Sequence, residues 1–313
     1  MKIGVDIMGG DFAPEATTLG SILAHKECPE LELVLLGNQE EIKKILEREN
    51  ISPSQFEIIH CEQVVEMCDH PTRVLVQKPN SSIAVGFKLL KEGKIDALAS
   101  TGNTGAMLVG SMYVVNSIPG IIRPCITSVL PKENGGVGII LDVGSNADCK
   151  PDVLYQFAVL GSIYAESVYD IKNPRVALLN IGEEEEKGNI LTQATHKLMK
   201  GTKDFNFVGN VESRDLFNDN CDVIVCDGFT GNVILKEAEA FYTIFKKRGL
   251  TDPYIERFNY ENYGGTPVMG VQGNVIIGHG ISNEKAIKNM IKHSADVVKA
   301  DLPNKIKEAL ENE

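Results

Sequence analysis

The stretch 221–240 carries the residues with the clearest chemical potential. It begins with a short apolar run, continues through Asp227 into a glycine-rich turn, and becomes a helical pattern from Val233. This order predicts a strand, a loop and a helix. Glycines let the backbone approach a ligand, and a helix amino terminus presents free N–H groups and the positive end of its dipole. The stretch therefore predicts an anion site whose candidate residues are Asp227, Gly228, Thr230 and Asn232.

Similar turns follow other apolar segments. The loop 100–105 (STGNTG) repeats the chemistry, and related turns follow the apolar runs that begin at Val5, Leu141, Leu178 and Val275. Loops that follow parallel strands emerge at one edge of a sheet, so all of these turns can converge on one crevice with 100–105 and 227–232. They add these candidate substrate-binding residues: Asp6, Gly9, Gly10, Asn103, Thr104, Gly105, Asn146 and His279.

Lys187 is the most informative cation. It follows four glutamates at 183–186 and precedes Gly188 and Asn189, in a loop directly after an apolar run that is typical of a buried strand. A lysine in this place can bind a phosphate or an oxyanion, with the acids holding it in position. A surface lysine in an acidic loop is an equally good interpretation.

Three aspartates and one histidine also lie at strand ends. Asp6, Asp142 and Asp227 each close an apolar run just before a glycine turn. Such aspartates often cap the turn that follows, and capping is the favoured interpretation for any single one. His279, between two glycines, is either a ligand contact or a turn residue.

The elements that must position these residues alternate between strand and helix patterns, which is typical of βαβ units. We predict an α/β protein with a three-layer α/β/α, Rossmann-like fold and a mostly parallel sheet, in a single domain over residues 1–313. The segments 126–130 and 137–142 predict a β-hairpin. Around 236–263, aromatic and basic residues flank a break at 249–253, and we expect a projecting helical hairpin there.

Composition excludes several classes of protein. The chain has 313 residues, is 43% hydrophobic and carries a formal net charge of −12. The charge disfavours a nucleic-acid partner. No apolar run is long enough to span a bilayer and no signal-peptide pattern is visible, so we expect a cytoplasmic protein. The seven cysteines lack C-x-x-C spacing and the six histidines lack paired-ligand spacing, so neither a disulfide framework nor a metal site is expected.

An acidic macromolecular partner would have to meet a local basic patch. The first candidate is Lys246, Lys247 and Arg248, and the second is a helix with Lys285, Lys288 and Lys292. On composition alone, a solvated helix face is the favoured interpretation of both.

Several catalytic signatures are missing. The dinucleotide fingerprint G-x-G-x-x-G, the P-loop G-x-x-x-x-G-K-[ST] and the nucleophile elbow G-x-S-x-G do not occur. The loops suit anions but belong to none of these classes, and a covalent acyl-enzyme has little support.

Seven motifs in register carry a family resemblance. These are VDIMGGDFAPEA, STGNTGA, LDVGSNADCKPDVLYQFAVLGSIYA, NIGEEEEKGN, VCDGFTGNVILK, YGGTPVMGV and IIGHGISN. Together they closely resemble the bacterial acyl-acyl carrier protein:phosphate acyltransferases, the PlsX family. The resemblance implies transfer of a fatty acyl group from the phosphopantetheine of acyl carrier protein to inorganic phosphate, giving an acyl phosphate for phospholipid synthesis without a cofactor. It further implies a homodimer and peripheral attachment to the cytoplasmic membrane. Between DGFTGN and YGG, family members carry a hydrophobic, basic hairpin that is shorter and more polar here.

The residues fit this chemistry. Phosphate is already an anionic nucleophile and needs positioning more than deprotonation. Attack on the thioester creates an oxyanion, for which Lys187 and the amides of Asn189, Asn232 or Asn103 are candidate donors. With Asp227, the first three are the expected catalytic residues. A thiolate leaves readily, since a free thiol has a pKa of about 8.5, and we expect direct transfer in a ternary complex.

Three alternatives remain open. A phosphotransacetylase-like enzyme would use short acyl-CoA as the donor. A dehydrogenase on a related fold is less favoured, for want of a nucleotide fingerprint. A non-catalytic scaffold that binds acyl carrier protein at the membrane would need the basic hairpin but not Lys187 or Asn232.

Overall fold

The computed structural model describes residues 1–311. The chain separates into two compact units. Unit 1 comprises Met1–Ser117 and Tyr260–Lys299, and unit 2 comprises Ile118–Asn259 and the residues from Ala300 onward. Each unit has its own strands and its own core, and the single domain over 1–313 stays a prediction.

The strands in chain order are β1 (Lys2–Asp6), β2 (Glu32–Gly37), β3 (Glu57–His60), β4 (Ala97–Ser100), β5 (Cys125–Pro131), β6 (Val137–Leu141), β7 (Arg175–Leu179), β8 (Asn206–Val211), β9 (Val223–Val225), β10 (Gly265–Met269) and β11 (Asn274–Gly278). The α-helices are α1 (Glu15–Glu27), α2 (Gln39–Arg48), α3 (Pro71–Gln77), α4 (Ser82–Lys91), α5 (Thr104–Gly110), α6 (Pro151–Tyr169), α7 (Ile190–Met199), α8 (Gly228–Lys247), α9 (Glu284–Ala300) and α10 (Leu302–Glu311). A π-helical turn, Ser111–Asn116, continues α5.

Unit 1 is built on strands in the order β3-β2-β1-β4-β11-β10. All neighbours pair in parallel except β10, which is antiparallel to β11. The central strands are apolar and buried, as in β4, where all four residues are buried. Continuous apolar strands are typical of parallel sheets that are covered on both faces.

Unit 2 is built on strands in the order β5-β6-β9-β7-β8. The predicted hairpin is confirmed, because β5 pairs antiparallel with β6, and the remaining neighbours pair in parallel. Helix α6 packs closely on this sheet, since a Cβ added at Gly161 would lie 2.6 Å from Cγ1 of Val223. The predicted α/β class, with a mostly parallel sheet and flanking helices, is confirmed.

The segment expected to form a helical hairpin differs in its second arm. Helix α8 supplies the first arm, whereas the return contains the short 3₁₀ turn Ile255–Phe258 in place of a second α-helix. The return is held by side chains instead. The Tyr254 hydroxyl donates to the carbonyl of Pro131 at 3.0 Å, and Arg257 donates to the carbonyl of Lys132 at 2.7 Å.

No helix within residues 1–311 is both long and apolar enough to cross a membrane. Over the same residues, no three His, Cys, Asp or Glu side chains are grouped so that they could hold a metal ion.

Candidate active site

In unit 1, Asp6 anchors the carboxyl edge of the sheet. The residue is 1% exposed. One carboxylate oxygen accepts the Ser100 hydroxyl at 2.6 Å and the other accepts the backbone N–H of Met8 at 3.1 Å. Burial raises the pKa of Asp6, and the hydrogen bond from Ser100 opposes that rise. Asp6 therefore fixes two loops from inside the protein.

The loops after β1, β4 and β11 are tied together around glycines. Thr101 donates its hydroxyl to the carbonyl of Gly9 at 2.8 Å, and the N–H of Asp11 donates to the carbonyl of Gly280 at 2.7 Å. A Cβ at Gly9 would lie 2.3 Å from the Asp6 carboxylate, and Gly10 has φ +102°. Side chains would not fit here, so the close approach of the three loops depends on glycine.

Asn103 holds a neighbouring segment instead of presenting a free donor. It is buried and caps α5, where its oxygen accepts the N–H of Ala106 at 2.9 Å. Its amide nitrogen donates to the carbonyls of Glu66, Met67 and Asp69 at 3.0, 3.2 and 3.2 Å. These carbonyls already take up its N–H groups, so Asn103 holds the segment 66–69, and its role as an oxyanion donor stays a prediction.

The other unit 1 candidates surround these loops. Thr104 is exposed in the first turn of α5. A Cβ at Gly105 would lie 2.5 Å from Cγ of Pro71, so glycine is required there. His279 is half-buried, with its ring 5.0 Å from that of Tyr260. Substrate contacts by these residues stay predictions.

In unit 2, the buried carboxylate of Asp142 organises the loop after β6. It accepts six hydrogen bonds at 2.6–3.2 Å, whose donors are the N–H groups of Ile126, Gly144, Ser145 and Asn146, the Ser145 hydroxyl and the Asn146 side-chain amide. The Asn146 amide also donates to the carbonyl of Pro124 at 2.8 Å. Asn146 thus shapes the loop, and its contact with substrate stays a prediction.

Asp227 is the amino-terminal cap of α8. Its carboxylate accepts the N–H of Thr230 at 2.8 Å and the hydroxyl of the same residue at 2.9 Å. The N–H of Gly228 donates to the carbonyl of Asn146 at 2.8 Å, and a Cβ at Gly231 would lie 1.9 Å from the carbonyl oxygen of Asp142. The geometry gives Asp227 the capping role that the sequence favoured, and its catalytic role stays a prediction.

Asn232 lies one turn into α8 and is exposed. Its side-chain oxygen would lie 3.5 Å from a Cβ added at Gly144, which has φ +139° and no side chain of its own. Within residues 1–311 the Asn232 amide makes no hydrogen bond. It is therefore available to a ligand beside the loop that Asp142 shapes.

Lys187 is exposed in the loop after β7. No ion pair involves Lys187 in the part of the chain that is described, and the acidic residue Glu185 binds Lys200 at 2.6 Å instead. The expectation that the neighbouring acids hold Lys187 in place is therefore not met. Asn189 caps α7 through its side-chain oxygen, which accepts the N–H of Thr192 at 2.9 Å.

The register of unit 2 brings these loops to one edge. Val225 of β9 pairs with Leu141 of β6 on one side and with Leu178 of β7 on the other. The three strands are parallel, so the loops that carry Asp142, Asp227 and Lys187 all emerge at the carboxyl edge. Convergence of both units' loops on a single crevice, with Asn103, Asp227, Gly228 and Asn232 facing it, stays a prediction.

The two candidate basic patches differ in their local pairing. At the end of α8, Lys246 binds Glu256 at 2.9 Å, whereas Lys247 and Arg248 are exposed and make no ion pair within the described residues. On α9, Lys288 and Lys292 both bind Glu27, at 2.7 and 2.9 Å. These hydrogen bonds, that of Lys288 first, lower the pKa of Glu27 to about 2. The α9 patch is thus partly neutralised.

Three residues whose side chains hold the Lys187 loop were not identified from the sequence. Asn180, Gln193 and Asn210 donate side-chain amides to carbonyls of residues 184–188. Asn180 ends a strand before a glycine turn, like the aspartates singled out above, and this signal could have found it. Gln193 and Asn210 carry no local signal.

Comparison with solved structures defines the class. A phosphotransacetylase from Streptococcus pyogenes matches with a TM-score of 0.64 and 17% identity, covering 95% of this chain and 94% of its own. A branched-chain phosphotransacylase from Enterococcus faecalis V583 matches with a TM-score of 0.61 and 13% identity, covering 95% and 99%. At these identities the likeness establishes the fold, and the protein is an α/β protein with the fold of these two proteins.

The sequence comparisons establish the family. The chain belongs to the fatty acid synthesis protein family, whose model matches residues 1–305. The phosphate acyltransferase of Dictyoglomus turgidum is 45% identical over 329 aligned residues, covering 99% of this chain and 98% of the relative. That of Clostridium tetani is 40% identical, covering 100% and 98%. The chain is accordingly an acyltransferase, and the family resemblance seen in the sequence is confirmed.

Proposed function

We propose that this enzyme transfers a fatty acyl group from the phosphopantetheine thioester of acyl carrier protein to inorganic phosphate, and that the acyl phosphate enters phospholipid synthesis. The observation that carries the proposal is the pair of exposed donors in unit 2, Lys187 and Asn232. Both follow parallel neighbouring strands, and neither the Lys187 ammonium nor the Asn232 amide is used by an ion pair or side-chain hydrogen bond within residues 1–311. The relatives' name, phosphate acyltransferase, supports phosphate as the acceptor.

The proposed step is a direct displacement. A phosphate oxygen attacks the thioester carbon, the carbon–sulfur bond breaks, and the electron pair leaves on the pantetheine sulfur. Lys187 and Asn232 donate to the phosphate or to the oxyanion that develops on the carbonyl oxygen. The amino terminus of α8 adds its positive dipole end at the loop where phosphate would bind.

An acyl-enzyme is not part of the proposal. Burial raises the pKa of the nearby Cys149 thiol to about 12, with Asp142 and Asp227 adding to the rise. The Cys226 thiol is also buried, and burial raises its pKa as well. Since the thiolate is the nucleophilic form, neither cysteine is suited to attack a thioester.

The assembly belongs to the same proposal. Helix α8 buries only Gly228 and Gly231 of its own residues, and it leaves Phe241 51% and Ile244 47% exposed. These residues fall at the spacing of one helix face, which a second subunit would cover. We place the homodimer in the cytoplasm with peripheral attachment to the membrane.

The test compares two donors. Purified enzyme is mixed with phosphate and either acyl carrier protein or coenzyme A bearing the same acyl chain, and acyl phosphate is trapped as the hydroxamate. We expect a higher kcat/KM with the carrier protein. A higher kcat/KM with acyl-CoA would indicate the phosphotransacetylase-like alternative, and carrier binding without any acyl phosphate would indicate a scaffold.

A further inference from the structure

The backbone of the Lys187 loop is held by three side-chain amides, one directly after β7, one on α7 and one on β8. Asn180, after β7, donates to the carbonyl of Lys187 at 3.1 Å. Gln193, on α7, donates to the carbonyls of Glu186 and Gly188 at 2.8 and 3.1 Å. Asn210, on β8, donates to the carbonyl of Glu184 at 2.9 Å. Four of the five carbonyls from 184 to 188 thus accept an amide N–H from a side chain outside this five-residue segment.

The contacts around Gly188 leave the loop little room to move. Gly188 has φ +95°, and a Cβ there would lie 2.1 Å from the Thr192 hydroxyl and 2.2 Å from the Asn180 side-chain oxygen. Only glycine permits both the positive φ and this approach. The loop is therefore closed against Asn180 and the first turn of α7.

The orientation of the Asn210 side-chain amide is fixed by His196. The amide oxygen lies 2.9 Å from Nδ1 of His196, which is 6% exposed. The Asn210 nitrogen donates to Glu184, so its oxygen must accept, and the proton on this side belongs to Nδ1 of His196. A buried histidine thereby fixes the amide that fixes the loop.

The side chains of Glu185 and Lys187 in this loop, unlike its backbone, are not held by buried contacts. Glu185 and Lys200 form an ion pair in which the two side chains are 60% and 61% exposed. Exposed ion pairs contribute little to stability. The loop is consequently held through its backbone, while the Lys187 ammonium is left without an ion pair in residues 1–311.

We propose that Asn180, Gln193 and Asn210 are positioning residues for Lys187, an inference that rests on the proposed function. Lysine has a long flexible side chain, so the place of its backbone decides which ligand atom the ammonium reaches. A transition-state donor must lie within about 2.7–3.1 Å of its acceptor, and a misplacement of about 1 Å can lower the rate about 10²-fold. Fixing the backbone carbonyls holds the donor within that range.

The test is a double-mutant cycle between Gln193→Ala and Lys187→Ala. Gln193 is exposed on α7, where alanine is a good helix former, so the variant should fold. We expect Gln193→Ala to lower kcat/KM about 10-fold in the wild-type background and less than about 2-fold in the Lys187→Ala background, because its effect passes through Lys187. Lys200→Ala, which removes only the contact to the Glu185 carboxylate, is the matched control and should stay within about 2-fold of wild type.

Equal losses in both backgrounds, or no loss in the wild-type background, would overturn the positioning role. Amide hydrogen exchange of residues 183–188 supplies a readout that needs no turnover. It should be faster in Gln193→Ala than in Lys200→Ala, and equal exchange would also overturn the proposal. A wild-type enzyme that makes no acyl phosphate from either donor, yet shows the exchange difference, would instead refute the proposed function.

Discussion

Asn146 donates two hydrogen bonds to the carboxylate of Asp142. Its backbone N–H and its side-chain amide donate to the same oxygen, at 2.6 and 2.9 Å. Asp142 is fully buried, and within residues 1–311 the six hydrogen-bond partners of its carboxylate are all N–H or O–H donors. The loop beside Asn232 therefore requires a carboxylate at this position, not only a side chain of the right shape.

Asp142→Asn should destabilise the protein by about 3 kcal/mol, because its NH₂ group would oppose an N–H or O–H donor in the interior. The measurement is the shift of the denaturant midpoint. The matched control is Asp148→Asn, in the same loop but exposed, which should leave the midpoint in place. Equal shifts for both variants would contradict the role of Asp142.

Lys187→Ala should lower kcat about 10²-fold or more, as expected for loss of one donor at the developing charge. The melting temperature should barely change, because the side chain is exposed and holds no ion pair within the described chain. Steady-state kinetics and thermal melting are measured together, with the exposed Lys197→Ala on α7 as the control. Near-normal turnover of the Lys187 variant would show that its catalytic role is wrong.

How far these sites could be predicted depends on the range of the interactions. The β5–β6 hairpin and the Asp227 cap follow from residues close in sequence, so the patterns predicted them. The contact between Asn210 and the carbonyl of Glu184 spans 26 residues and forms only when β8 pairs with β7. No local pattern contains that information.

The range of the interactions also explains why some residues that the sequence suggested as ligand contacts already have partners within the chain. Asn103 is one of the candidate donors in the sequence, and the segment 66–69 folds back onto it and takes up its N–H groups. Lys288 and Lys292 belong to a candidate basic patch, for which a solvated helix face was the favoured interpretation, and Glu27 pairs with both across a separation of more than 260 residues. Composition and spacing show which groups are present, whereas tertiary contacts decide which remain available.

Asn232→Ala should lower kcat/KM about 10²-fold, since the free amide is the second proposed donor. Stability should be unchanged or slightly higher, because the residue is exposed on α8 and alanine favours the helix. Glu237→Ala, also exposed on α8, is the control for changes to the helix surface. If both variants kept full activity, Asn232 would have no part in transition-state binding.

His293 should make stability depend on pH. Burial lowers its pKa from the ordinary 6.5 to about 4. The folded state therefore binds fewer protons than the unfolded state, and its stabilisation, complete above pH 6.5, is lost as the pH falls from 6.5 through 4. The loss should amount to roughly 3 kcal/mol.

The check on His293 is the melting temperature between pH 7.5 and about pH 4 for wild type, His293→Gln and His70→Gln. The difference between wild type and His293→Gln should change across this window, because glutamine does not titrate. His70 is exposed, and its variant should follow the wild-type curve. Parallel curves for all three proteins would show that His293 does not control the pH dependence.

The end of α8 should control docking of the acidic carrier protein. Lys247 and Arg248 are exposed and hold no ion pair within residues 1–311, so the double change Lys247→Glu with Arg248→Glu removes available positive charge. It should slow association with acyl carrier protein about 10-fold at low salt and flatten the salt dependence of kcat/KM, while the KM for phosphate stays constant. The control, Lys44→Glu with Lys91→Glu, makes the same charge change at exposed positions of α2 and α4 and should have a smaller effect.

Binding to anionic vesicles in the absence of the carrier protein distinguishes lipid from the carrier protein as the partner of Lys247 and Arg248. Loss of vesicle binding with unchanged carrier kinetics would assign these residues to lipid. If both double variants behaved alike in both assays, Lys247 and Arg248 would be a solvated helix end, since only the total charge would matter.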